Sequence, residues 1–201
     1  MTIDPPLLTL LSYYRDAELR GAGLLLRLIA LMPDDPEAQV ELTRHVAEET
    51  RHAWLWTKRI VDLGAAPAPI PAGYQSRIGL RTIPRSLADL LALTIVVEER
   101  ALARYQEHAA RHDVDVATRK VLAAVAKDEQ WHVAWIRRKL TELTAHDATL
   151  GERADGMMER YRQIDREVYA ELRREEDIAF GRSGPPDGYA GGRTSQPRGG
   201  A

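Results

Sequence analysis

Residues 48–56 read Glu-Glu-Thr-Arg-His-Ala-Trp-Leu-Trp, and residues 128–135 read Asp-Glu-Gln-Trp-His-Val-Ala-Trp. Each carries a Glu-x-x-His pair: Glu49 with His52, and Glu129 with His132, 80 residues later. A spacing of three puts the two side chains one above the other on one face of a helix. That face also carries Leu42, His45 and Trp56 in the first segment, and Leu122, Val125 and Ile136 in the second. It is therefore the apolar, inward face. A lone carboxylate there would cost several kcal/mol, so it needs a partner.

The partner is sought one helix earlier. Glu18 stands 31 residues before Glu49, and Glu98 stands 31 residues before Glu129. Glu18 shares an inward stripe with Tyr14 and Gly21, and Glu98 shares one with Leu91, Thr94 and Tyr105. In two antiparallel hairpins, equal spacing brings each glutamate to the depth of its Glu-x-x-His. Glu99 competes with Glu98 for this place, and spacing and stripe favour Glu98.

Helix punctuation supports this layout. Asp4-Pro5 and Asp35-Pro36 read as N-caps followed by first-turn prolines. The second helix runs to about Leu63, with Gly64 as its C-terminal cap. Residues 64–84 hold four prolines and read as a long crossover. Ser86, with Asp89 three residues on, opens a third helix as an approximate capping box; that helix ends near Arg111. Asp113 or Asp115 caps a fourth, running to about Leu143. A fifth amphipathic helix spans about 152–180, with the stripe Met157, Tyr161, Ile164, Val168 and Leu172. It could pack on its own bundle or on a second subunit. The segment from Gly181 is rich in Gly and Pro and reads as disordered. The expected divisions are a bundle over 1–150, an added helix over 151–180 and a tail over 181–201. The fold class is all-α: two short-loop hairpins joined by one long connection, a known four-helix wiring.

Composition narrows the function. The chain has 201 residues, 44% hydrophobic and 29% charged, with net charge −2. No basic run points to nucleic acid or an anionic membrane. There is no cysteine, which excludes disulfides and thiolate metal sites. No signal peptide or membrane span is evident, so a cytoplasmic location is the default.

Four glutamates and two histidines in one bundle core suit two divalent cations. Four carboxylates balance four positive charges, and oxygen with imidazole nitrogen suits Fe and Mn, with Zn also able to bind. The pattern Glu18, Glu49-x-x-His52, Glu98, Glu129-x-x-His132 resembles the ferritin-like di-metal carboxylate superfamily (rubrerythrin, ferritin and di-iron oxygenase types) over roughly residues 5–145. The resemblance implies a ferritin-like bundle holding two ions at those six residues, iron first, with Mn/Fe or Zn as variants. It also implies oxidation or oxygenation of a substrate with O₂ or peroxide, electrons coming from an external donor where one is needed. Iron handling, with Fe(II) itself as substrate, is the alternative, and a metal-stapled binding module a third reading. A homodimer is the expected assembly. No cysteine is available for the iron domain that typical rubrerythrins append.

Around this set, His45, two turns before His52 on the same face, reads as a hydrogen-bonded core or rim residue rather than a third ligand. Glu48, Glu99 and Asp128 read either as groups orienting the histidines or as solvated flank, with Arg51 as a partner for one of them. His108 and His112 read as helix-end residues suited to the dipole. Tyr14, Tyr105, Trp56 and Trp135 read as core aromatics that could line a pocket or carry electrons. Gly21 implies either close helix approach or space left beside the metals.

Overall fold

The computed structural model describes residues 3–179, with side chains to residue 175. Six helices account for its regular structure: α1 (Pro5–Leu31), α2 (Pro36–Asp62), α3 (Tyr74–Arg81), α4 (Leu87–Ala110), α5 (Val116–Thr144) and α6 (Ala148–Ala179). No strand occurs among the described residues. The tail expected over 181–201 lies outside them.

Capping residues set the helix starts. The Asp35 carboxylate accepts from the Ala38 N–H at 2.9 Å. The Asp115 carboxylate accepts from the N–H groups of Ala117 and Thr118, and Asp113 pairs instead with Arg111. The Ser86 hydroxyl accepts from the Asp89 N–H at 3.1 Å, while Asp89 reaches back to the N–H of Arg85 rather than of Ser86. Asp4 makes no side-chain cap, so only the proline at its flank marks the start of α1. At the end of α2, Ala65 N–H bonds to Ile60 O and Gly64 N–H to Val61 O. Gly64 has φ 81°, the left-handed turn that this terminator requires.

α1 pairs with α2 and α4 with α5; the bundle closes through α2 against α5 and α1 against α4. The inward stripes of α2 and α5 match at an offset of 80 residues. Leu42 and Leu122, Trp56 and Ile136, Ala38 and Thr118 are all buried. One apolar cluster, with Leu11, Tyr14, Trp56, Tyr105 and Leu122, fills one end. A second, with Leu25, Leu28, Leu42, Leu91 and Ile136, fills the rest of the core. Each such leucine stabilises the fold by about 1.5–3 kcal/mol on burial.

The long connection is a crossover with a helix of its own, which the sequence reading did not include. It contains α3, whose Tyr74 and Ile78 are buried. Its start is pinned where the Ser12 hydroxyl accepts from the Ala68 N–H at 2.9 Å. α6 begins at Ala148, a turn earlier than expected, and packs on its own bundle against α4, α3 and α5. A buried carboxylate fixes it: Asp165 accepts from the Tyr74 hydroxyl at 2.8 Å and from Arg100 at 2.8 and 2.6 Å. Arg77 and Arg81 on α3 pair with Glu175 and Glu171 on α6. No helix among the described residues is long and apolar enough to cross a membrane.

Candidate metal centre

Glu18, Glu49, His52, Glu98, Glu129 and His132 all lie in the bundle core, none more than 5% exposed. Their donor atoms form two overlapping groups. In one, Glu18, Glu49, His52 and Glu129 offer atoms all within 4.8 Å of one another; in the other, His45, Glu49, Glu98 and His132 do the same. Glu49 belongs to both groups. Glu129 lies between the two histidines, its oxygens 3.4 Å from His52 Nδ1 and 3.3 Å from His132 Nδ1. Glu18 and Glu98 stand at the two ends. Glu98, not Glu99, enters the core; Glu99 pairs with Arg137 and Arg162 outside it.

Both histidines turn Nδ1 inward and Nε2 outward. His52 Nε2 is 3.0 Å from Asp128 Oδ2, and His132 Nε2 is 2.9 Å from Glu48 Oε2. These two carboxylates therefore orient the rings, and each is itself held by an arginine of α2. Arg51 pairs with Asp128, and Arg44 Nε donates to Glu48 Oε1 at 3.0 Å. Nε2–H donation to a carboxylate leaves the Nδ1 lone pair free for a cation at the centre. The Tyr105 hydroxyl donates to Glu18 Oε1.

The charge balance without a cation is strained. Burial first, then the nearby carboxylates Glu18, Glu129 and Glu98, hold Glu49 well above the usual carboxylate range. Burial also raises Glu98, with Glu129 adding to it. Burial opposes a charged His52, but its hydrogen bonds to Glu129 and Glu18 outweigh that and lift it to about 10. His132 rises for the same reason, through Glu129. All four shifts favour the protonated form, the mark of a cluster that attracts positive charge.

Three observations test whether a metal fits. Glu49 Oε1 is buried without a hydrogen-bond partner. A Cβ on Gly21 would lie 2.5 Å from Glu49 Oε2, so the missing side chain makes the cradle for that carboxylate. The donor set is oxygen and imidazole nitrogen, which suits Fe, Mn or Zn. The residues fit.

Several neighbours differ from their sequence reading. His45 is a core residue as read, fully buried, but neither of its ring nitrogens is hydrogen-bonded. Its heptad-like position one turn before Glu49 placed it on the inward face, but only the approach of α4 brings Glu98 to it. His108 is buried, 3.2 Å from the Tyr14 hydroxyl through Nδ1. Burial first, then Arg111 and Arg104, lower it to about 4, so it is neutral and adds nothing to the helix dipole. Tyr14, Tyr105 and Trp56 pack together, with ring centroids 4.9 to 5.8 Å apart, beside the Glu18 end. The space that Gly21 leaves is taken by Glu49 rather than left open.

No protein-family model matches the chain, and no curated protein matches it. Among solved structures it is similar to the bacterioferritin-related protein from Bacteroides fragilis, a dodecameric thioferritin. The TM-score is 0.59 at 22% identity, covering 71% of this chain and 89% of that one. The chain has the ferritin-like fold. In this ferritin-like bundle, the buried carboxylates and histidines form clusters able to hold metal. Set on the bundle, α6 packs on α4, and its Asp165 ties together Arg100 of α4 and Tyr74 of α3.

Proposed function

We propose that this chain binds a pair of divalent cations, iron in its host, and that Fe(II) is its substrate, oxidised there by O₂ or peroxide. The observation that carries this reading is the single buried layer of four glutamates and two histidines, with Glu49 shared between two ligand groups. Two Fe(II) release two electrons, which with two protons convert one O₂ to one H₂O₂.

The chain's own residues prepare that step. Glu49 would serve both positions, Glu129 lies between the two histidines, and Glu18 and Glu98 would close the ends. Asp128 and Glu48 hold the imidazoles with Nδ1 facing in. A cation would need Glu49, His52 and His132 without their ligand-side protons, so binding should weaken in acid. Burial of the layer among apolar side chains keeps bulk water from the oxidising centre.

A small cleft beside Tyr105, the residue that holds Glu18, suits a small oxidant. It lies between α1, α3 and α4, is lined by Ala17, Val97, Ala101 and Tyr105 among others, and holds about 20 Å³. That is room for one water or one diatomic molecule. Oxygenation of an organic substrate, with an external electron donor, would require this cleft to open. The exposed apolar residues Val40, Trp54 and Val61 lie on one face of α2 and support a homodimer through that face.

The test is to load metal-free protein anaerobically with two equivalents of Fe(II) and then admit O₂ or peroxide. Oxidation faster than that of free Fe(II), with uptake near one O₂ per two irons, is the expected result. No acceleration with either oxidant rules the reading out. Sedimentation of the same sample separates a dimer from a storage cage.

A further inference from the structure

His45 is the one histidine of the core layer outside the six. It sits one turn before Glu49 on α2 and is 0% exposed. Its Nε2 points into the cluster, 3.4 Å from Glu49 Oε1 and 3.5 Å from Glu98 Oε1. Neither of its ring nitrogens finds a hydrogen bond. An imidazole buried in that way costs free energy that a leucine or valine of similar reach would not. The matching position on α5 is Val125, which is equally buried. Filling space therefore does not explain the imidazole.

Its donor atom also lies within the 4.8 Å group formed with Glu49, Glu98 and His132. A cation at the centre of such a group reaches ordinary nitrogen and oxygen bond lengths of about 2.0–2.2 Å with small side-chain movements.

We propose that His45 is a seventh metal ligand and that it makes the two metal positions unequal. This rests on the paired-cation reading above. The position at the Glu18 end draws one nitrogen, from His52, and carboxylates from Glu18, Glu49 and Glu129. The position at the Glu98 end draws two nitrogens, from His45 and His132, with Glu98 and Glu49. Imidazole strengthens binding of the later first-row ions more than of Mn(II), while carboxylate and water suit Mn(II). The two-nitrogen position therefore fills first with Fe(II), Co(II) or Zn(II). In a mixed Mn/Fe pair, iron takes that end.

The competing role is packing. The His45 ring stacks on His132 with centroids 3.4 Å apart and planes at 27°, so it could merely position that ligand. Co(II) titration of the metal-free full-length chain separates the two. Visible absorption counts the binding steps. Proton NMR of the loaded protein counts the far-shifted imidazole N–H signals, recognised by their absence when loading is done in heavy water. Wild type is expected to take two Co(II), the second at least tenfold more weakly, and to show three such signals. His45→Phe keeps a flat ring against His132 but has no lone pair. It should show two signals and lose at least tenfold in the first step, so that the two steps merge. His45→Gln serves where the phenylalanine variant does not fold, and the wild-type signal count needs no variant. Two signals in wild type, or an unchanged titration in His45→Phe, overturns the seventh ligand and leaves the paired site standing. Wild type that binds no Co(II) overturns the paired site itself and His45 with it.

Discussion

The hairpin α1–α2 and the hairpin α4–α5 repeat one another at an offset of 80 residues. Glu18 answers to Glu98, Glu49 to Glu129, His52 to His132, Glu48 to Asp128 and the cap Asp35 to Asp115. What surrounds these residues does not repeat. His45 corresponds to Val125, Gly21 to Ala101, and Leu25 and Leu28 stand where the other half has Tyr105 and His108. The supports also cross between halves. Asp128 on α5 holds His52 on α2, and Glu48 on α2 holds His132 on α5. Tyr105 on α4 holds Glu18 on α1, and His45 on α2 meets Glu98 on α4. Neither hairpin completes a ligand group alone. Cation binding should therefore act as a clamp between the hairpins, adding stability to the folded state by mass action.

The largest break in the symmetry comes from the carboxylate between the two imidazoles. Glu129→Ala removes a group that reaches both His52 and His132. Loss of both ions is expected, by more than about 100-fold in affinity, since even outer partners of metal ligands are worth about 10–100-fold. Metal content after dialysis against a fixed Fe(II) or Zn(II) concentration reads this directly. A variant that still holds one ion tightly would mean that the halves bind independently.

Gly21 and Ala101 offer a sharper contrast at matched positions. Gly21→Ala raises helix propensity by about 1 kcal/mol, yet its Cβ meets Glu49 Oε2 at 2.5 Å. The carboxylate must move, so metal affinity should fall about tenfold or more, while the metal-free protein loses little stability. Ala101→Gly carries only the helix cost of about 1 kcal/mol and should leave metal affinity near wild type. Calorimetric titration with Zn(II), beside denaturant melts of both metal-free variants, separates the pair.

The histidine supports come next. Asp128→Asn and Glu48→Gln keep an acceptor for the Nε2–H but remove the charge. Each should weaken binding about tenfold, at the low end of the effect of such partners. The comparison is informative because Asp128 loses its Arg51 pair and Glu48 its Arg44 pair at the same time. Unequal losses would locate which arginine matters more.

Much of this layout was legible in the chain because two periodicities coincide. The spacing of three within Glu-x-x-His, and of 31 back to Glu18 and Glu98, places six polar residues on otherwise apolar stripes. The capping residues Asp35, Ser86 and Asp115 and the terminator Gly64 mark helix ends in the sequence itself. α3 was not legible. It is 8 residues long, too short for a periodic signal, and it follows three prolines that dominate the window. The meeting of His45 with Glu98 was not legible either, for a different reason. The place of His45 on α2 is local information, but its partner Glu98 lies on α4, and only interhelical packing brings them together. His108 likewise depends on Tyr14, 94 positions earlier in the chain.

The smallest expected effect concerns the matched caps. Asp35→Ala and Asp115→Ala should each cost about 1 kcal/mol at neutral pH, since each removes a side-chain acceptor from the first turn of a ligand-bearing helix. The Lys139 ammonium and the Ala38 N–H lower Asp35 from the ordinary carboxyl value. For Asp115, partial burial works upward, but the Thr118 hydroxyl and N–H and the Arg59 side chain prevail and bring it to about 2. A carboxylate lowered on folding contributes stability that is complete above the unfolded value near 4 and is lost as the pH falls through the folded value. The difference between wild type and each alanine variant should therefore shrink below pH 4 and, for Asp115, vanish below about 2. Denaturant melts of metal-free protein at pH 7 and pH 3 measure it. A cost that differs between the two caps at pH 7 would show that the hairpins, alike in ligand spacing, are not alike in how firmly their helices begin.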